Sequence, residues 1–259
     1  MGANIGLMDS LDQLSAALLE RAPDTDANAR PDLRREDRKG VPEVILADAK
    51  SVADLIAVVR AFLDGRGRAI VSRVLVDQCA PLRDAFPHAA YEEYGRGRTV
   101  VLRSPDWVPP SLGGRVAVLT AGTSDIPVAE EAIVVAREMG CIVTSAFDVG
   151  VAGIHRLFGP LRTMLEEKVD VVVVAAGMDG ALPSVVAGLV DVPVIGLPVS
   201  VGYGVGGRGV AALLSMLQTC APGLTVVNVD NGVGAGATAG LIARRIALAR
   251  GDISPIGPR

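Results

Sequence analysis

The sequence contains few of the side chains that usually build a metal site or a disulfide-bonded domain. Of its 259 residues, three are cysteines and two are histidines, and no two cysteines have the spacing of a zinc motif. A zinc site is therefore not expected, and an odd number of cysteines fits reduced thiols in the cytoplasm. Aromatic residues make up only 3% of the chain, so the core has to be built from Ala, Val, Leu and Ile.

Long apolar runs and an excess of positive charge are absent as well. No apolar stretch is long enough to cross a membrane, and residues 1–19 lack the basic start and continuous apolar segment of a secretory signal. A formal net charge of −4 argues against a general nucleic-acid-binding protein. We expect a cytoplasmic protein that has neither a membrane nor a nucleic acid as partner.

After residue 110 the sequence alternates regularly between apolar runs and helical patterns. The predicted strands cover 116–121, 141–146, 170–176, 193–199 and 224–229. The predicted helices cover 127–139, 153–168, 180–190, 206–219 and 234–250. Continuous Val/Ile runs that alternate with helices are typical of a parallel sheet buried on both faces. We therefore expect an α/β fold with a doubly wound, five-stranded parallel sheet.

The part before residue 110 has a different character. Its patterns predict a helix over 52–63 and strands over 69–76 and 98–103, and three prolines and two glycines mark a linker at 104–114. We interpret residues 1–30 as poorly ordered or helical, 31–110 as a small α+β substrate-binding domain, and 111–259 as the catalytic domain.

Glycine-rich polar segments follow the five predicted strands of the second part. They cover 121–132, 146–156, 176–188, 198–209 and 228–236. Ligands of open parallel sheets bind outside the carboxyl ends of the strands, and helix N-termini favour phosphate or carboxylate. The segments thus indicate an anionic, nucleotide-like ligand. For single residues local roles stay open: Ser124 and Asp125 can cap a helix, and Asp148 can close a turn.

Five motifs together resemble one family. They are GTSDIPVAEEA at 122–132, DVGVAGIHRL at 148–157, AGMDGALPSVVAGLV at 176–190, PVIGLPVSVGYG at 193–204 and NVDNGVGAG at 228–236. With the spacing of Arg35, Arg38, Glu43 and Lys50, they resemble the LarB family, the pyridinium-3,5-biscarboxylic acid mononucleotide synthases, from about residue 30 to 240.

The second part is also similar to PurE, the aminoimidazole ribonucleotide carboxylase of purine synthesis. Ser124-Asp125, His155-Arg156 and Leu182-Pro183 look like its phosphate and carboxylate loops. This similarity implies a PurE-like, flavodoxin-like three-layer fold. Ala181 stands where PurE has the histidine that shuttles the proton, so the sequence argues against ordinary purine chemistry.

The LarB resemblance implies an enzyme that acts on nicotinic acid adenine dinucleotide. It would carboxylate the pyridinium ring with CO2 or bicarbonate as co-substrate and hydrolyse the phosphoanhydride. Splitting a phosphoanhydride often uses a divalent cation to neutralise charge, so a cation such as Mg²⁺ is expected as a cofactor. The products would be AMP and a precursor of the nickel-pincer nucleotide of lactate racemase. The alternatives are a PurE-type carboxylase or mutase and a non-catalytic nucleotide sensor.

Two residues are the candidates for chemistry. An electron-poor pyridinium ring becomes nucleophilic only after a thiolate adds to it, and the resemblance points to Cys220 as that thiolate. Asp179, if buried, can remove the ring proton; otherwise it caps a helix. Because Cys220 precedes its strand, it lies at the amino edge of its own sheet, whereas the glycine-rich loops lie at the carboxyl edge. One chain could hardly join the two, but a neighbouring subunit could. We therefore expect a homo-oligomer, an octamer by resemblance to PurE, with composite active sites.

The remaining candidates would bind the phosphates or carboxylate of the substrate. They are Arg35, Arg38, Glu43, Lys50, Arg73, Gly122, Thr123, Ser124, Asp125, His155, Arg156, Gly177, Met178, Ser200, Gly202, Tyr203, Gly204, Asp230 and Asn231.

Overall fold

A computed structural model describes residues 31–95 and 98–252, so the prediction for residues 1–30 lies outside the described part. The first part folds as α1 (Arg35–Lys39), β1 (Val44–Leu46), α2 (Val52–Arg66), β2 (Arg68–Ser72), α3 (Val76–Ala85), β3 (Ala90–Tyr94) and β4 (Thr99–Arg103). Its four strands have the order β1-β2-β4-β3. The β1 and β2 strands are parallel, whereas β4 is antiparallel to both β2 and β3.

The predicted helix over 52–63 is confirmed and is one turn longer than expected. The strand predicted over 69–76 is wrong at its end, because the chain turns at Arg73, where φ is +59°, and Val76 begins a helix. The sequence patterns missed β1, which has only three residues, and β3. The β3 sequence AYEEY contains no fully buried residue, so it lacks the apolar alternation by which a strand is recognised.

The second part confirms the predicted five-stranded parallel sheet. Its strands are β5 (Arg115–Thr120), β6 (Ile142–Ala146), β7 (Val171–Ala176), β8 (Val194–Pro198) and β9 (Leu224–Val226), in the order β6-β5-β7-β8-β9. Its helices are α4 (Ile126–Glu138), α5 (His155–Glu166), α6 (Ala181–Ala187), α7 (Val210–Leu217) and α8 (Gly232–Arg250). Short 3₁₀ turns at Thr123–Asp125 and Val151–Gly153 precede α4 and α5.

Both faces of this sheet are covered, which explains the nearly continuous apolar sequence of its strands. In β5, Val116 and Val118 pack in the cluster formed with α4 and α8. The alternate residues Ala117 and Leu119 pack on the opposite face with α5, α6 and α7. Among residues 31–95 and 98–252, no helix combines the length and apolar character needed to cross a membrane.

Helix α4 joins the two parts of the chain. Its Val134 packs against Ile70 and Val101 of the first sheet, while its other face packs on α8. Two acidic residues of α4, Glu131 and Glu138, are also buried at this junction. The first sheet is therefore held along α4, which itself begins at the carboxyl edge of the second sheet.

Candidate functional site

The loop between β5 and α4 contains a buried carboxylate. Asp125 is only 4% exposed, and its Oδ2 accepts a hydrogen bond of 2.8 Å from the backbone N–H of Gly122. The N–H of Gly177, in the loop after β7, also donates to it. The side chain makes no capping hydrogen bond to α4, so the capping role left open for Asp125 at that helix is wrong, and its bond to Gly122 caps the 3₁₀ turn Thr123–Asp125 instead. Asp125 instead joins two neighbouring strand-end loops.

The environments of the two acids of these loops differ sharply. Burial raises the pKa of Asp125, and the hydrogen bonds from Gly122 and Gly177 offset this only in part. Asp179 is exposed, so the burial that its proposed role as a base required is not present in the single chain. Between the two, Asp125 has the buried environment, with a raised pKa, that is expected of a carboxylate acting as a base.

A cleft lies beside these loops, where the segment after β7 meets the segment after β8. Met178 has a φ of +50°, and its N–H donates to the carbonyl of Val201 at 3.3 Å. The cleft has a volume of about 190 Å³. It is lined by Met178, Asp179, Val201, Gly202, Tyr203, Gly206, Gly209 and Ala211. Exposed backbone and a strained residue at a cleft are typical of a ligand-binding loop.

Gly177 is required by a close approach of backbone. A Cβ atom at this position would lie 2.2 Å from the carbonyl oxygen of Val201. Gly177→Ala is expected to destabilise the protein by about 1–3 kcal/mol because the two loops must separate. Gly159→Ala is the control, since a Cβ there meets nothing within 4 Å, and it should stabilise α5 slightly. Equal melting temperatures for Gly177→Ala and the unmodified protein, measured by thermal unfolding, would contradict the close approach.

The loop after β9 is tied to the loop after β8. Asp230 has a φ of +55°, and its Oδ1 accepts a 2.8 Å hydrogen bond from the N–H of Ser200. The next residue, Asn231, caps α8 by accepting from the N–H of Gly234 at 2.9 Å. Both predicted residues thus shape the carboxyl edge, and their contact with substrate stays a prediction.

An ion pair lies at the end of β6. Asp148, with a φ of +58°, accepts a hydrogen bond from Nη1 of Arg156 at 2.6 Å. His155 and Arg156 are both exposed at the start of α5. The sequence patterns treated Asp148 as a turn residue and missed this pairing, because eight residues separate it from Arg156.

The basic residues of the first part fall into two groups. Arg73 reaches the carboxyl edge, where its Nη2 donates to the carbonyl of Asp230 at 3.1 Å. Its Nη1 lies 3.8 Å from Oδ2 of Asp48, which is near Lys50 in the sequence. The residues Arg35 and Arg38 instead pair with neighbours on their own segment.

These pairs join Arg35 to Glu43 at 2.5 Å and Arg38 to Asp32 at 2.6 Å. Glu36 of the same helix is linked through Arg68 to Glu138 at the far end of α4. Helix α4 runs away from the carboxyl edge with a rise of about 1.5 Å per residue, so its far end is distant from the loops at that edge. Arg35 and Arg38 lie on the helix that is linked to this far end, and one chain therefore does not bring them together with the carboxyl-edge loops.

The three cysteines lie in different environments. Cys141 is buried beside β6, as expected of a core residue, and burial raises its pKa to about 11. Cys79 lies on α3 of the first part. Cys220 is exposed between α7 and β9. A strand of five residues such as Val194–Pro198 spans roughly 16 Å, so the sheet separates Cys220 from the carboxyl-edge loops of its own chain.

A set of protein ligands for a metal ion is not found within the described residues. No three His, Cys, Asp or Glu side chains there are grouped closely enough to hold one. The divalent cation expected for hydrolysis of the phosphoanhydride therefore stays a prediction.

Comparison with known proteins matches both parts of the chain. Residues 115–253 match the AIR carboxylase family, and residues 24–103 match the LarB/PurE-like N-terminal domain. An uncharacterized protein of Methanocaldococcus jannaschii is 40% identical over 241 residues, which are 91% of this chain and 92% of that protein.

The N5-carboxyaminoimidazole ribonucleotide mutases match only half of this chain. The mutase of M. jannaschii is 33% identical over 132 residues, 51% of this chain and 77% of that enzyme. That of Mycobacterium tuberculosis is 33% identical over 136 residues, 51% of this chain and 72% of the enzyme. The family match covers more than half of the chain, and the match to the uncharacterized relative extends over nearly all of it. The chain therefore belongs to the PurE-like carboxylase family, as a LarB-type member with the LarB/PurE-like N-terminal domain.

Proposed function

We propose that the protein carboxylates the pyridinium ring of nicotinic acid adenine dinucleotide and hydrolyses its phosphoanhydride. The observation that carries this is the combination of a PurE-like carboxyl edge with Ala181 at the start of α6, where the resemblance places the PurE histidine. The carboxylase loops are kept, and the proton shuttle of the purine reaction is not. The products are pyridinium-3,5-biscarboxylic acid mononucleotide and AMP, the first step towards the nickel-pincer nucleotide of lactate racemase.

The ring chemistry requires a nucleophile that adds and later leaves. The Cys220 thiolate forms a C–S bond next to ring position five and gives an enamine. The enamine carbon then forms a C–C bond to CO2. Loss of the proton from that carbon to a base returns an electron pair to the ring, and the C–S bond breaks to release the thiolate. The sulfur is regenerated, and one CO2 replaces one proton.

Asp125 is the base that the structure favours over Asp179. It lies buried between two strand-end loops, whereas Asp179 is exposed. The N-termini of α5 and α8 and the N–H groups of the loop after β8 are suited to the phosphates of a dinucleotide. Water adds to one phosphorus of the anhydride, and AMP leaves.

The site is proposed to be composite. The sheet separates Cys220 from Asp125 within one chain, so the thiol that acts at the Asp125 loops comes from a second copy of the chain. This requires a homo-oligomer, for which an octamer is the form implied by the PurE resemblance.

A second candidate is a PurE-type carboxylase or mutase. The mutase relatives and the AIR carboxylase match favour it, and Ala181 counts against it.

Product analysis separates these candidates. The protein is incubated with the dinucleotide, bicarbonate and Mg²⁺. Mass spectrometry should then detect AMP together with a mononucleotide that is heavier than nicotinic acid mononucleotide by the mass of one CO2. Conversion of carboxyaminoimidazole ribonucleotide instead would support the mutase, and binding of the dinucleotide without turnover would indicate a sensor.

A further inference from the structure

Glu131 is a buried acid at the junction of the two parts, and the reaction proposed above does not use it. It lies on α4 and is 7% exposed. Its Oε1 accepts a hydrogen bond from the Ser72 hydroxyl and lies 3.6 Å from Nε of Arg73. Among the residues that the structure describes, Oε2 has no hydrogen-bond partner. Oε2 faces Gly232 at the N-terminus of α8, where a Cβ would approach it to 2.9 Å.

Such a carboxylate is costly for stability. Burial raises the pKa of Glu131, although the Ser72 hydroxyl and Arg73 favour the charged form. Replacement of a whole buried ion pair by well-packed hydrophobic residues is often neutral or stabilising, so a buried charge is weak evidence of a contribution to stability. The position is therefore better explained by what Glu131 holds in place than by the stability it adds.

Arg73 connects Glu131 to the ligand loops. It sits just after β2 in a left-handed conformation and donates through Nη2 to the carbonyl of Asp230 at 3.1 Å. Asp230 is itself left-handed and accepts from the N–H of Ser200 at 2.8 Å. Ser200 begins the segment that lines the cleft. A continuous path of contacts thus runs from Glu131 through Arg73 and Asp230 to Ser200.

We propose that Glu131 is a positioning residue that orients Arg73 and thereby fixes the loops at Asp230 and Ser200 for the ligand. Through this path the first sheet sets the shape of the cleft formed by the second part. The catalytic meaning of the path rests on the proposed function, whereas its effect on the loops does not.

Glu138 offers a matched control on the same helix. It lies two turns after Glu131, is 3% exposed, and also faces the first sheet. Its carboxylate pairs with Arg68 at 3.2 Å and with Arg103. These partners lie at the opposite end of β2 and β4 from Ser72. Glu138→Gln thus removes a buried charge from the same junction without touching Arg73.

The test is hydrogen exchange of the full-length, ligand-free protein, measured by mass spectrometry on peptides that contain Ser200 and Asp230. Glu131→Gln should speed exchange in both peptides by about tenfold, whereas Glu138→Gln should leave both unchanged. Arg73→Gln, which changes a half-buried residue, should speed exchange in the same two peptides as Glu131→Gln does. The double variant should add nothing further if both residues act on one path.

Kinetics supply the second readout. With nicotinic acid adenine dinucleotide, Glu131→Gln should raise KM by about tenfold and change kcat by less than about threefold. Unchanged exchange in Glu131→Gln, or the same change in Glu138→Gln, would overturn the inference. A wild-type protein that does not turn over the dinucleotide would instead overturn the proposed function, and the exchange comparison would still decide the role of Glu131.

Discussion

Cys220→Ala is expected to lower the rate of ring carboxylation by at least about a thousandfold while the protein stays folded. No other group in the proposed site can add to the ring and leave again, so the ring would stay electron-poor and CO2 would not be captured. The side chain is exposed, and truncating an exposed side chain usually changes stability by less than about 0.5 kcal/mol. Initial rates from mass spectrometry, together with thermal unfolding, separate loss of chemistry from loss of fold.

Cys79→Ala is the matched control for this substitution. Cys79 lies on α3 in the first part and has no proposed role, so its variant should keep the wild-type rate within about threefold. A Cys220→Ala protein that retains carboxylation within tenfold of the wild type would remove the thiol from the mechanism.

Asp125→Asn is expected to lower the rate by about 10²–10⁴-fold, the usual contribution of a general base. Asparagine keeps the shape of the side chain and one hydrogen-bond acceptor for the N–H groups of Gly122 and Gly177, but it cannot take up a proton. Asp179→Asn is the control, because that acid is exposed in the neighbouring loop. A reversed result, with Asp179→Asn inactive and Asp125→Asn active, would restore Asp179 as the base.

Stability should respond to this substitution in the opposite direction from activity. Burial raises the pKa of Asp125, so the folded state binds its proton more tightly than the unfolded state does. Its contribution to the free energy of unfolding is therefore present at low pH and is lost as pH rises from the ordinary carboxyl range through the raised pKa. Asp125→Asn should melt at or above the wild-type temperature at pH 7, with a smaller difference near pH 4. A lower melting temperature at pH 7 would show that the carboxylate is needed for its hydrogen bonds.

The second sheet could be predicted from the sequence because its three central strands, β5, β7 and β8, are buried on both faces. A run such as Val171–Ala176 contains no polar residue that could face solvent, so it is typical of a central strand in a parallel sheet. The first sheet was predicted only in part. Its edge strand Ala90–Tyr94 is exposed and charged, and Val44–Leu46 is too short to show a period, so tertiary pairing decides both.

The candidate site was predictable where a residue type and a strand end coincide, as for Asp125 and Asp230. Contacts between distant segments were not predictable. Arg73 meets Asp230 across 157 residues, and Glu131 looks like an ordinary acid of an amphipathic helix until the first sheet covers it. The relative burial of Asp125 and Asp179 follows from loop packing, which a Gly-rich sequence leaves open.

The claim that the site is shared between copies is tested most directly by mixing two inactive variants. Cys220→Ala and Asp125→Asn chains carrying different tags are co-expressed, and assemblies that carry both tags are purified and assayed with the dinucleotide and bicarbonate. If the thiol of one copy serves the Asp125 loops of another, about one quarter of the sites in random assemblies regain both groups, and carboxylation returns to a comparable fraction of the wild-type rate. If the mixed assemblies remain as inactive as each variant alone while the wild type is active, the two groups act within one chain and the composite site is wrong.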